Sequence, residues 1–167
     1  MNFKDFYKLT KYKLYCDMDG VLCDFEQGVE DLGQGSMTAL LKKGQTSLWR
    51  VINQAAEPFW SEMDWMKDGE ELWKAIKGFT PTILSTPSRS NNSKTGKRKW
   101  CAKRLGSDVK VILISNKEKH ASKNSILIDD TPKKINKWKK AGGIGILHKT
   151  TKQTLKELEK ILNEEST

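Results

Sequence analysis

Five short apolar runs, separated by stretches of helical periodicity, constrain this chain more than any other feature. Residues 12–16, Thr82-Ile83-Leu84, Val109 to Ile114, Ser125 to Ile128 and Ile144 to Leu147 are apolar and β-prone, and each reads as a strand. Between them lie helical patterns with start and stop signals. Leu72, Trp73 and Ile76 share a face that is expected to end at Gly78, ahead of Pro81. Lys97 to Leu105 reads as a second helix stopped by Gly106. Thr131 and Pro132 open a third, with Ile135 and Trp138 inward and Gly142-Gly143 as the stop. Leu155, Leu158, Ile161 and Leu162 mark a last amphipathic helix. Continuous apolar strands alternating with helices imply a parallel sheet covered on both faces, so the fold class is α/β, a doubly wound parallel sheet.

One stretch breaks the alternation. Glu26 to about Asp68 carries helical segments around Met37 to Lys43 and Leu48 to Gln54, followed by Phe59, Trp60, Met63, Trp65 and Met66. The expectation is a core formed by residues 1–24 and 69–167 with a helical cap, residues 25–68, inserted between them. Ser88 to Gly96 is polar enough to be a mobile loop.

At 167 residues the chain suits one domain with a small insert, and a 37% hydrophobic fraction with six Trp is that of a folded protein. No apolar run has the length of a membrane span. The segment Met1 to Phe6 lacks the succession of a signal peptide, so a cytoplasmic location is expected. Cys16, Cys23 and Cys101 form no C-x-x-C pair and read as small buried hydrophobes. His120 and His148 read as structural or surface residues. The net charge of +9 is spread over Lys4 to Lys13, Lys94 to Lys110, Lys133 to Lys140 and Lys149 to Lys160, which resembles a solvated coat more than a nucleic-acid stripe. The run Lys94 to Arg104 keeps phosphorylated nucleic-acid ends as an alternative substrate, beside other small phosphomonoesters, and a non-catalytic nucleotide-binding protein is the alternative of another class.

In sheets of this kind ligands gather beyond the carboxyl ends of the strands. Asp17 and Asp19, Ser85 and Thr86, Asn116 with Lys117, and Asp129 with Asp130 all fall there. These are the parts that phosphoryl transfer needs: an in-line nucleophile, a cation and hydrogen-bond donors. Asp17 would attack phosphorus and Asp19 would serve as general acid and then base. Ser85 and Lys117 would bind phosphoryl oxygens, with Lys119 near enough to compete for the role. Asp129 and Asp130 would complete a Mg²⁺ site.

Asp17-Met18-Asp19-Gly20-Val21-Leu22, Ile83-Leu84-Ser85-Thr86-Pro87, Asn116-Lys117 and Ile126-Leu127-Ile128-Asp129-Asp130 resemble the four motifs of the haloacid dehalogenase superfamily. Within it the chain is most similar to the 5'(3')-deoxyribonucleotidases, from about Lys13 to Leu147. That resemblance implies a Mg²⁺-dependent phosphatase acting on a nucleoside monophosphate through an aspartyl-phosphate. It implies Asp17 as nucleophile and metal ligand, and Asp19 as acid/base that also lends a main-chain carbonyl to the metal. Ser85, Thr86 and Lys117 would bind phosphate, and Asp130 would be the direct ligand with Asp129 in support. Phe25 and Trp60 would contact the base. The chain departs from those nucleotidases in carrying Ser115-Asn116 before Lys117, where they have an arginine and an aspartate.

Overall fold

A computed structural model describes residues 11–164; residues 1–10, which include the segment read for a leader and most of the first basic stretch, lie outside the described residues. The strands are β1 (Lys13–Cys16), β2 (Thr82–Ser85), β3 (Val111–Leu113), β4 (Ser125–Asp129) and β5 (Ile144–Leu147), all parallel in the order β3-β2-β1-β4-β5. β1 lies at the centre: Cys16 aligns with Ile83 on one side and with Ile128 on the other. The order reverses on either side of β1, which makes its carboxyl end the switch point where ligands bind.

The helices are α1 (Phe25–Glu30), α2 (Met37–Lys42), α3 (Gln45–Ser61), α4 (Gly69–Ile76), α5 (Asn91–Arg104), α6 (Pro132–Lys140) and α7 (Thr151–Glu164). Alternate residues of the strands feed two separate clusters. Leu14, Cys16, Ile83, Ile126 and Ile128 join Leu72 and Ile76 of α4, Trp100 of α5 and Leu158 of α7. On the opposite face Tyr15, Leu84 and Leu127 join Ile135 and Trp138 of α6, with the Tyr15 and Trp138 rings edge-on at 5.3 Å. The first cluster continues without a break into Leu40, Leu48, Ile52 and Phe59 of the insert. All three cysteines are buried and unpaired, and burial pushes the Cys101 thiol up to about 12, which keeps them inert. His148 is buried with Nδ1 2.8 Å from Thr154 Oγ1. Among the described residues no helix is long and apolar enough to cross a membrane.

Three element readings change. α4 does not stop at Gly78: a 3₁₀ turn follows over Lys77–Phe79, and Thr80 takes the left-handed conformation at φ 47°. Pro81 disfavours right-handed helix at the residue before it, so the exit falls on Thr80. Two thirds of the polar segment Ser88 to Gly96 is helix, because α5 begins at Asn91 with the Ser90 hydroxyl accepting from the Asn92 amide at 3.2 Å. The segment around Leu48 to Gln54 extends over all of α3, which is two helical pieces meeting at Ala56 (φ 56°, ψ −141°) just before Pro58.

Candidate active site

The chain leaves β1 at Asp17 with its amide bonded to the Ile128 carbonyl at 2.9 Å, so the carboxylate is carried at the sheet's central edge. One tight turn follows, in which the amides of Val21, Leu22 and Cys23 all donate to the Met18 carbonyl. Gly20 sits in it at φ 76°, and a Cβ there would collide with the Asp130 carboxylate. Glycine is therefore required for Asp130 to lean over the β1 end.

Asp17, Asp129 and Asp130 each offer an oxygen, and the three atoms lie within 4.8 Å of one another. An all-oxygen donor set of this kind suits a hard divalent cation such as Mg²⁺. Lys117 is buried beneath the pair, 2.8 Å from Asp17 Oδ2 and 2.6 Å from Asp129 Oδ2. Lys119, by contrast, is exposed. Lys134, from the first turn of α6, approaches the same oxygens from the open side at 3.2 and 3.9 Å. Burial alone would raise the Asp17 carboxyl, but Lys117 and Lys134 hold it well below the usual carboxylate range. Asp129 goes the other way, raised by burial and by the charge on Asp17 beside it. Its second oxygen accepts from the Thr131 amide at 2.9 Å. Asp130 remains exposed.

Asp19 lies outside that cluster. Its carboxylate is gripped by Lys97, whose Nζ is 2.7 Å from Oδ1 and 2.6 Å from Oδ2, and which also donates to Ser85 Oγ at 3.2 Å. Lys97 has no exposed side-chain surface. Burial works against its charge, yet Asp19 outweighs that and its pKa rises. Its Nζ also stands 5.2 Å from the centroid of the Trp60 ring. Thr86 turns its hydroxyl to the Ile114 carbonyl at 3.4 Å.

Lys97 and Lys134 are the site residues that sequence reasoning missed. A signal for Lys97 was present: Ser93, Gly96, Lys97, Trp100 and Cys101 are the buried residues of α5, at the spacing of one helical face. Small and polar residues hid that face. It runs against the insert, where a Cβ on Gly96 would collide with Trp60 and stand 2.8 Å from the Glu57 carbonyl. Lys99–Glu57 and Lys103–Glu62, both 2.6 Å, and Arg104–Asp64 at 3.5 Å tie the same helix down. These pairs engage Lys99, Lys103 and Arg104 of the basic run Lys94 to Arg104 from within the protein.

Beyond the carboxylates opens a cleft of about 350 Å³ lined by Asp19, Gly20, Phe25, Met37, Asp130 and Lys134. Phe25 is half-buried on its wall. Trp60 does not reach the cleft surface: it is only 2% exposed, with Phe59 edge-on at 4.9 Å and Lys97 over its face.

No family model and no curated protein sequence matches the chain. Solved structures do resemble it. A haloacid dehalogenase (HAD)-superfamily hydrolase from Ehrlichia chaffeensis superposes with a TM-score of 0.50 at 13% identity, over 91% of this chain and 96% of that one. A HAD-superfamily hydrolase of subfamily IA, variant 1, from Geobacter sulfurreducens superposes with a TM-score of 0.51 at 12% identity, over 83% and 87%. The chain thus shares the doubly wound α/β fold of these hydrolases.

Proposed function

We propose that the chain is a Mg²⁺-dependent phosphomonoester hydrolase that works through an aspartyl-phosphate, with nucleoside monophosphates as its substrates. The observation that carries this reading is the partition of charge around the β1 end. Two carboxylates, Asp129 and Asp130, lie on the β4 side, and a buried lysine, Lys97, beside a serine hydroxyl lies on the β2 side, with Asp17 and Asp19 between them. A phosphate monoester fits that partition because it brings two negative charges and needs both a cation and donors.

Asp17, Asp130 and, behind them, Asp129 would hold the Mg²⁺, with the Asp19 main-chain carbonyl adjacent. When bound, the ion neutralises phosphoryl charge and fixes the oxygens for in-line attack. Asp17 forms a bond to phosphorus as the bond from phosphorus to the ester oxygen breaks. Asp19, which takes a proton from the monoanionic phosphate ester as Lys97 turns to the phosphoryl oxygens, gives it to that departing oxygen. Asp19 then takes a proton from a water that attacks phosphorus, and the Asp17 carboxylate leaves as inorganic phosphate forms. Lys97 bridges Asp19 and Ser85 in the free protein, so an arriving phosphate competes for its ammonium and loosens Asp19 for proton transfer. Lys117 keeps Asp17 ionised and correctly turned from below. We further assign residues 25–68 as a cap over the site, with Phe25 against the base.

Phosphate release from nucleoside monophosphates, with Mg²⁺ and with EDTA, tests the reading. Asp17→Asn is expected to abolish release; a rate equal to the parent's refutes the mechanism.

A further inference from the structure

A cleft larger than the one that holds the carboxylates lies elsewhere among the described residues. It measures about 930 Å³ and lies between the first half of α3 and the loop from β2 to α5. Trp49, Arg50, Asn53, Ser88, Arg89 and Asn92 are among the residues that line it, and none of its lining residues is acidic. We propose that this cleft binds single-stranded nucleic acid, and that the strand's terminal phosphate is what reaches the carboxylates. The fate of that phosphate rests on the hydrolase reading above; the binding does not.

Size is the first argument. The 350 Å³ carboxylate cleft already suits one nucleotide, and the second, near the top of the range of small-ligand sites, offers room for more of a chain. Placement is the second. The wall of the large cleft starts at Pro87, two residues past Ser85, so a strand leaving the phosphate position along this loop runs into it. Chemistry is the third. Trp49 is 37% exposed and, with Leu41, is one of the large hydrophobic side chains left in solvent among the described residues. An indole face beside guanidinium groups is a stacking platform for bases next to an electrostatic contact for phosphates. Arg50 and Arg89 form no ion pair among the described residues, whereas lysines of α5 are bound to Glu57 and Glu62. The neutral donors and acceptors of Asn53, Ser88 and Asn92 add contacts that tolerate any base.

The test is fluorescence anisotropy of a labelled, unphosphorylated oligodeoxythymidylate of about eight nucleotides with the whole protein in EDTA, so that turnover plays no part. The parent is expected to bind, with affinity falling steeply as salt rises. Trp49→Ala should weaken binding by about tenfold, and the double variant R50A/R89A should lower the slope against log salt by about two. Absence of binding at low salt, variants that bind like the parent, or equal displacement by polyglutamate, which would point to an acidic protein partner, each overturns the proposal. Phosphate release from thymidine monophosphate by the parent is measured alongside. Binding without release would sink the hydrolase reading and leave the cleft assignment standing; release without binding would do the reverse.

Discussion

The Lys97–Asp19 pair joins a fully buried cation to a partly solvated anion, and that asymmetry gives a sharp expectation for stability. In Asp19→Ala the ammonium keeps Ser85 Oγ at 3.2 Å and the Trp60 face at 5.2 Å, and meets water only through the gap the carboxylate leaves toward the cleft. Stranding a buried charge costs about 3–5 kcal/mol, and the remaining hydroxyl and indole place this case near about 3. In Lys97→Met the flexible thioether fills the space of the lysine stem. The Asp19 side chain, 29% exposed, can rehydrate, so the loss should be about 1 kcal/mol. At about 2–4 °C per kcal/mol for a chain of this size, Asp19→Ala should melt about 4–8 °C below Lys97→Met. The double variant should melt above Asp19→Ala alone, since it removes the uncompensated charge. Thermal unfolding followed by circular dichroism in EDTA measures all three. Lys97→Met melting as low as Asp19→Ala, or no recovery in the double variant, would refute the reasoning.

Gly96→Ala places a methyl group into the Trp60 side chain and the Glu57 carbonyl and should cost about 2 kcal/mol by urea unfolding despite alanine's better helix propensity. Lys134→Met removes an ammonium from 3.2 Å of Asp17 Oδ2, so calorimetric titration with Mg²⁺ should give roughly fivefold tighter binding, about 1 kcal/mol; weaker binding would assign Lys134 to a supporting role. Burial lowers the pKa of His148, so its contribution to stability is present above about pH 6.5 and is lost as pH falls from there through the folded-state value. The melting temperature of the parent minus that of His148→Gln should therefore shrink between pH 7.5 and pH 5, and a constant difference would contradict it.

The fold was legible because strand burial leaves a plain signature: apolar runs such as Ile126-Leu127-Ile128 face helices on both sides and carry no alternation. The meeting of Asp17, Asp129 and Asp130 was legible for a related reason, since each follows such a run at the same edge of the sheet. Lys97 was harder to read, because the face it shares with Ser93, Gly96, Trp100 and Cys101 is small and polar, and the packing of that helix against Trp60 is what turns it inward. Lys134 was missed as well. Trp60 misled in the opposite direction: an aromatic beyond the first motif reads equally as a ligand platform or as core, and the choice depends on what α5 does with its face. Helix limits moved at Thr80, where the exit falls beyond the glycine stop at Gly78, and at Ala56, where a residue at positive φ joins two helical pieces.

The contact of Gly96 with the insert has a mechanical corollary. The residue that seats α5 against Trp60 and Glu57 is followed directly by the one that holds Asp19, so the insert and the Asp19 carboxylate hang from a single lever. If the insert is the cap proposed above, a roof bolted through α5 cannot swing clear as a hinged lid does without dragging Lys97 off its partner. Substrate would then enter and product leave sideways, and grafting a different roof onto this scaffold would require rebuilding the proposed acid/base pair along with it.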